Sequence, residues 1–420
     1  MPDPSATTSA PIEARRVPRR LAVRVTKDAA RQIRGGHPWV FDSSIVSVTP
    51  GGEAGDLAVV FDDRREFMAI GLFDPGSPIR IRILHQGRPT PIDEGFWRGR
   101  IIDAVARRGD LVASTATTAY RVIHGENDAM PGCVIDRYGS TLVLKLYSAS
   151  WLGLLPTLVP LIDELLRPDA LILRLSRHVG RGDTGGLVDG QGLIGNAPDA
   201  PIEFAENGLV FEADVVRGQK TGFFLDQRDN RFRVRSLASG ARVLDVFSCS
   251  GGFSVNAAAG GATLVHSVDI SAHAIDAAKA NMERNDKRPA VRACRHEVTT
   301  GDAFEVMEHM MSRGRQFDLV LVDPPSFASS QRQIDGALRS YARLAELAVS
   351  LVSRGGTLVA CSCSSRVTGP EFAGAVREGA DRAGARLSDI SHSTHPVDHP
   401  VGFAHGAYLK ALTARVDARR

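Results

Sequence analysis

Asp323 ends an apolar run and is followed by two prolines, in "LVLVDPPSFASSQ" (319–331). The run suits a strand buried on both faces. Pro324 and Pro325 cannot continue it, so the carboxylate sits at a strand tip on a stiffened backbone. Three further stretches share this form. "LDVFSCSGGFS" (244–254) carries Asp245, Phe247, Ser248 and Ser250, then Gly251 and Gly252, whose lack of side chains lets backbone amides approach a ligand where a helix begins. "SVDIS" puts Asp269 at a strand tip 18 positions beyond Gly251, a spacing suited to binding both hydroxyls of a ribose. "TTGDAF" does the same with Asp302. A fifth run, "GTLVACSCS", ends in Cys361, Cys363 and Ser364, with the two cysteines on one face. A Gly pair after a strand is also an ordinary tight turn, and a single strand-end Asp is commonplace. An ordered row of them is a nucleoside-binding edge with further polar groups beside it. The glycine turn at 251–252 does not have GxGxxG spacing, which disfavours a nicotinamide dehydrogenase.

Such a row needs a sheet to align it. From about residue 201, strand-like and helix-like runs alternate: "ARVLDVFS", "VNAAAGGA", "LVHSVDIS", "AHAIDAAKANMERN", "HEVTTGDAF", "FDLVLVDPP", "GALRSYARLAELAVSLV", "GTLVACSCS", "GPEFAGAVREGADRAG" and "YLKALTARV". This alternation predicts an α/β fold with a parallel doubly wound sheet, whose ligands bind at the carboxyl ends of the strands. Ser271 is placed to cap the helix whose Ile275, Ala278 and Met282 face the sheet. Upstream, residues 19–92 predict short strands and a brief helix, a small β-barrel. Residues 93–200 mix helices and strands around the turn-rich "GENDAMPG" and "RYGS", an α+β middle domain. The apolar stretch 151–166 contains two prolines and two acids, and it predicts an amphipathic core helix rather than a membrane span.

Bulk properties narrow the classes. The chain has 420 residues, 43% hydrophobic and 24% charged, with net charge +3, so a sizeable core is available and the chain is no global polycation. Basic charge is nevertheless concentrated from Arg15 to Arg34, either a phosphate-binding patch or a solvated arm. Residues 1–18 have the composition of a disordered tail. Five cysteines without a CxxC pair, in a long chain with no signal-peptide pattern, lead us to expect reduced thiols, a cytoplasmic location and no structural zinc or other metal.

Taken in order, "HPWVF", "NDAMPGCVIDRYG", "GQKTGFFLDQRDNR" (218–231), "VFSCSGGFSV", "SVDIS", "FDLVLVDPPSF", "CSCS" and "DHPV…YLKAL" resemble the class I S-adenosylmethionine-dependent methyltransferases. The match is to the branch of bacterial 23S rRNA cytosine-5 methyltransferases of the RlmI type, over about residues 20–417. The resemblance implies a PUA-like RNA-binding barrel (19–92), the middle domain (93–200) and a Rossmann-like methyltransferase domain (201–420). It further implies S-adenosylmethionine held by Asp245, Phe247, Ser248, Ser250, Gly251 and Gly252, with Asp269 and Ile270 at the ribose and Asp302 and Ala303 at the adenine. Gln227 would join the cofactor set. Lys220, Phe224, Arg228, Pro324 and Pro325 would line the target site, and Asp323 would meet the target base.

Carbon 5 of a pyrimidine is a poor nucleophile until a thiolate adds to carbon 6 and makes the ring an enamine. The resemblance gives that thiol to Cys363, and Asp323 could manage the proton at ring nitrogen 3 through a raised pKa. The alternative for Cys363 is a small buried residue. Cys361 is the deeper rival, Cys249 suits packing around the cofactor, and Cys133 and Cys294 have no catalytic context. The family pattern names no base for the carbon-5 proton; His399 in "DHP" is a loose candidate. The target base must be unstacked, so single-stranded or opened rRNA is the expected partner. Other readings are transfer to uridine carbon 5 or a guanine nitrogen, which Asp-Pro-Pro also serves, and a non-catalytic assembly factor.

Overall fold

The computed structural model describes residues 17–328 and 330–418. Arg15, Arg16 and nearly all of the tail expected at 1–18 lie outside them. Within them the chain forms two compact units, one of 17–205, 212–225 and 397–403, the other of 206–211, 226–396 and 404–418.

The first unit opens with β1 (Arg20–Val25), α1 (Lys27–Arg34), β2 (Trp39–Phe41), β3 (Ile45–Val48), β4 (Leu57–Phe61), β5 (Phe67–Phe73) and β6 (Ile79–Gln86). The six strands form one mixed sheet in the order β2-β6-β5-β4-β1-β3. The alternation of β1 buries Leu21, Val23 and Val25 in a cluster with Ala29, Ala30 and Ile33 of α1, while Arg20 is exposed on the other face. Thr26 caps α1 by accepting from the Ala29 N–H. Apart from Arg19, the described basic residues of the stretch therefore lie on strand and helix.

A second sheet follows, ordered β11-β10-β9-β8-β7, from β7 (Ala119–His124), β8 (Cys133–Tyr138), β9 (Thr141–Leu146), β10 (Ala170–Leu175) and β11 (Gly192–Ile194). Its helices are α2 (Glu94–Ala106), α3 (Asp110–Ala113), α4 (Leu155–Leu166) and α5 (Arg177–Gly180). The stretch Ala149–Leu166 is long and apolar enough to cross a membrane by composition alone. Here Leu155, Leu158, Val159, Leu161 and Ile162 pack into the core with Trp97 and Trp151. A hairpin, β12 (Ile202–Glu206) and β13 (Leu209–Ala213), comes next.

The second unit is built on α6 (Arg228–Leu237), β14 (Arg242–Val246), α7 (Gly252–Ala259), β15 (Leu264–Asp269), α8 (Ala272–Arg284), α9 (Pro289–Ala293), β16 (Arg295–Thr300), α10 (Ala303–Ser312), β17 (Phe317–Val322), α11 (Ile334–Leu351), β18 (Val352–Ser362), α12 (Gly369–Arg382), β19 (Ala385–Ser393) and β20 (Lys410–Ala418). Seven strands run in the order β16-β15-β14-β17-β18-β20-β19. The first five are mutually parallel, so β14–β18 end on one edge. The sheet is not parallel throughout: β20 is antiparallel to both β18 and β19. β14 and β17 are central, and their apolar runs are buried on both faces.

Candidate active site

The loop after β14 is the most strained segment of that edge. Phe247, Cys249 and Gly251 all have left-handed φ, of 65°, 48° and 74°. Two of the three are not glycine, a conformation that costs energy and clusters at functional sites. Cross-bracing holds it: Ser248 N–H donates to the Val268 carbonyl (3.0 Å), Gly251 N–H to that of Ser248 (2.8 Å), and the Asn281 amide to that of Ser250 (2.9 Å). A Cβ on Gly251 would lie 2.8 Å from the Cβ of Ala278 on α8, so only glycine lets α8 approach.

Beneath this loop Asp245 is buried. Its Oδ2 accepts from Ser254 (2.6 Å), while Oδ1 and the Ser248 hydroxyl are buried without a hydrogen-bond partner among the described residues. Burial pushes the Asp245 carboxyl up to about 7. Ser254 continues to Ser267 (2.7 Å) and then to His296 Nε2 (2.8 Å). Asp269, at the tip of β15, takes the Cys249 N–H on Oδ2 and the Ser271 N–H on Oδ1, both at 2.9 Å. Both oxygens are fixed in place and keep lone pairs to offer. Ser271 caps α8, and Ile275, Ala278 and Met282 are buried as their spacing predicts. Ile270 beside them is 73% exposed, an unusual apolar surface next to a carboxylate. Asp302 caps α10, receiving the Phe304 and Glu305 N–H groups on Oδ1 alone, and Ala303 is buried behind it.

At the tip of β17, Asp323 N–H donates to Val246 O (3.3 Å) and its Oδ2 accepts from Gln227 Nε2 (2.9 Å). Gln227 is held in turn by Asn230 (2.6 Å), and Asn230 by Ser393 (2.6 Å). Tyr408 donates to Asp226 (2.9 Å). Arg228, the first residue of α6, is buried with its Nε 3.2 Å from Asp229. Pro324 is buried and Pro325 exposed. Cys363 follows the last residue of β18, on the strand next to β17, with its Sγ 3.8 Å from the Pro324 carbonyl. Cys361 is 1% exposed, and burial drives its thiol well above the usual range. Burial also raises Cys249.

One edge of the second unit thus gathers Asp245, the 247–252 loop, Asp269, Ile270, Asp302, Ala303, Gln227, Arg228, Asp323, Pro324, Pro325 and Cys363. Lys220 and Phe224 belong to the first unit, where the Lys220 ammonium lies 4.2 Å from the Phe224 ring centroid. His399 belongs there too, buried with its ring 5.0 Å from that of His124 and its Nδ1 3.4 Å from Asp398 without hydrogen-bond geometry. Sequence reasoning passed over Tyr408 and Lys410, which "YLKALTARV" presented as a plain final strand. The signal available was a lysine among the apolar residues that open the run, Leu409, Ala411 and Leu412.

The polar groups suit S-adenosylmethionine: a buried carboxylate and hydroxyl with unused capacity beside a glycine turn for the amino-acid part, a braced carboxylate for a ribose, and an exposed apolar side chain for a purine face.

Known proteins bear on this edge. Residues 190–415 match the model of the S-adenosylmethionine-dependent methyltransferases, and residues 23–86 that of a PUA-like domain. A ribosomal RNA large subunit methyltransferase of Deinococcus radiodurans is 46% identical over 95% of this chain and 98% of its own. Ribosomal RNA large subunit methyltransferase I of Shewanella frigidimarina is 34% identical over 94% and 99%, and that of Escherichia coli 33% identical over 93% and 98%. The crystal structure of SMU.776 complexed with SAH superposes with a TM-score of 0.79 at 20% identity, over 94% of this chain and 99% of that one, a likeness of fold. The cofactor is accordingly S-adenosylmethionine. Matched nearly end to end by such relatives, the chain belongs to the ribosomal RNA large subunit methyltransferase I family of S-adenosylmethionine-dependent methyltransferases.

Proposed function

We propose that this protein methylates carbon 5 of a cytosine in 23S rRNA, with Cys363 as the nucleophile and Asp323 at ring nitrogen 3. The observation that carries this reading is the meeting of Cys363 Sγ and the Asp323-Pro324 unit, 3.8 Å apart through the Pro324 carbonyl, at the tips of adjacent strands. Of the two cysteines on that strand, Cys363 is half-buried and Cys361 is enclosed, so only Cys363 has the access a nucleophile needs.

When bound, S-adenosylmethionine supplies an electrophilic methyl group on a sulfonium. The Cys363 thiolate bonds to carbon 6, and the electrons of the 5,6 double bond move through the ring toward nitrogen 3. Asp323, steadied by Gln227, holds the proton there. Carbon 5 then carries enamine character and accepts the methyl group. Loss of its proton and cleavage of the sulfur–carbon 6 bond restore the ring. The loop 247–252, Asp245, Asp269, Ile270, Asp302, Ala303 and Gln227 would hold the cofactor. Pro324, Pro325, Arg228, Phe224 and Lys220 would contact the extruded nucleotide.

The PUA-like sheet with its basic strand and helix would bind rRNA phosphates, and the enzyme would act in the cytoplasm. The division into a tail (1–18), RNA-binding module (19–92), middle domain (93–200) and catalytic domain (201–420) is part of the same proposal.

Cys363→Ala is expected to abolish methyl transfer while calorimetric binding of S-adenosylmethionine persists. Full activity in that variant would overturn the covalent mechanism and favour transfer to a ring or exocyclic nitrogen. Bisulfite sequencing of rRNA from cells with and without the protein identifies the base; an unchanged cytosine pattern would reject cytosine as target.

A further inference from the structure

Lys410 is a buried cation without a carboxylate. It is the first residue of β20 and stands opposite Ser362, the last of β18, in an antiparallel pair. Directly opposed residues project to the same face, here that of Ser362, and from it the side chain reaches past the end of β18 to the backbone of the turn that carries Cys363. There its Nζ donates to the carbonyls of Ser364 and Val367, the latter at 2.6 Å. The residue is 8% exposed. Among the described residues no Asp or Glu lies within ion-pair distance of it.

A buried ammonium costs several kcal/mol unless an opposite charge compensates it. Two carbonyls could be satisfied by a neutral donor, so hydrogen bonding alone does not explain a lysine here. Burial holds the Lys410 ammonium down to about 8, and the charge of Cys363 acts in the opposite direction, favouring the protonated lysine. Glu371 acts the same way with a smaller effect, so the thiol that acquires negative charge when the reaction starts is the stronger of the two acidic groups within electrostatic range of this cation. The other titratable groups around the pair are Asp323 at the tip of β17, Tyr341 on α11, Cys361 on β18 and Glu371 on α12. Each of these is neutral or acidic; Arg366 in the same turn is exposed and turned to His405, so Lys410 is the buried cation of the group.

We infer that Lys410 is the positioning residue for Cys363: it ties down the turn bearing the thiol, and its charge favours the thiolate. The inference rests on Cys363 being the nucleophile, but it is tested without methyl transfer.

The test is the pH dependence of iodoacetamide alkylation at Cys363 in the full chain, read by peptide mass spectrometry. The wild-type midpoint is expected below the ordinary thiol value of about 8.5. Lys410→Met, and Lys410→Gln, which keeps hydrogen-bonding capacity without charge, are expected to raise it by about one unit or more. At pH 7 that slows alkylation roughly tenfold. Lys410→Arg is expected to restore most of the shift. Calorimetric binding of S-adenosylmethionine checks that each variant is folded. An unchanged midpoint in the folded Met and Gln variants overturns the inference. So does a wild-type midpoint at or above about 8.5, which needs no variant at all. If Cys363→Ala retained methyl transfer while the Lys410 variants shifted the midpoint, the nucleophile reading would fall and the pairing would stand.

Discussion

Asp245 is a carboxylate under strong electrostatic tension. Its folded value of about 7 stands well above the 3.8 of an exposed Asp, because burial penalises the charged form. A raised carboxylate contributes stability that is fully present below the unfolded value and is lost as pH rises through the folded one. In the cofactor-free protein that loss runs from about pH 4 to pH 7. A shift of this size corresponds to something on the order of 4 kcal/mol. Asp245→Asn removes the titration, so urea midpoints of wild type and variant are expected to diverge across that window and run parallel above it. A gap that does not change with pH would show that Asp245 is charged in the fold. The sequence marked Asp245 as a ligand candidate from its place before the glycine turn. It could not show that one oxygen is bonded to Ser254 and the other left without a partner, since that depends on α7 and β15 closing over it.

At the scale of elements, the loop after β14 works because α8 packs directly against Gly251. Gly251→Ala puts a methyl 2.9 Å from the Ala278 Cα and asks a non-glycine residue to hold φ +74°, so helix or loop must move. The left-handed conformation alone costs about 1–2 kcal/mol. Affinity for S-adenosylmethionine is expected to fall tenfold or more by calorimetry. Gly314→Ala is the control: φ is +63° but no atom lies within 4 Å, so it carries the same conformational cost without the clash, and cofactor affinity is expected to stay unchanged. Equal affinities in wild type and Gly251→Ala would remove the loop from the cofactor site. The strands and helices that carry the loop were legible, because β14, β15, β17 and β18 are apolar runs separated by caps such as Ser271, Asp302 and Thr368. β19 was not: "ARLSDISHS" is an edge strand with few apolar residues and no periodic face to read. Strand direction was hidden too, since β20 is as apolar as its parallel neighbours. With β20 misread as one more parallel strand, Lys410 had no reason to stand beside Cys363.

For the molecule as a whole, a net charge of +3 spread over 420 residues gives little long-range attraction for RNA, so affinity must come from local clusters. The cluster visible in sequence between Arg15 and Arg34 is not uniform once folded. Arg34 lies 2.7 Å from the buried Asp62, Lys27 lies 3.6 Å from Asp63, and Arg31 pairs with Asp28 on its own helix. Arg20 and Arg24 share the face of β1 opposite its buried residues, with no carboxylate in ion-pair range among the described residues. Sequence counting gives all the cations of this stretch equal weight, whereas only the fold reveals which are already neutralised. Phosphate contacts therefore fall first to Arg20 and Arg24. Charge reversal at both, Arg20→Glu with Arg24→Glu, is expected to weaken binding to 23S rRNA fragments. It should also flatten the plot of log affinity against log salt by roughly 1.5, about 0.7–0.9 for each phosphate contact removed. Lys27→Glu with Arg34→Glu is expected to change the slope by less than half as much, because those cations are already partly spent on Asp63 and Asp62. Binding of S-adenosylmethionine should be the same in all three proteins. Equal slopes for the two double variants would mean that the unpaired arginines of β1 do not face the RNA, and the basic stretch would then be a solvated surface after all.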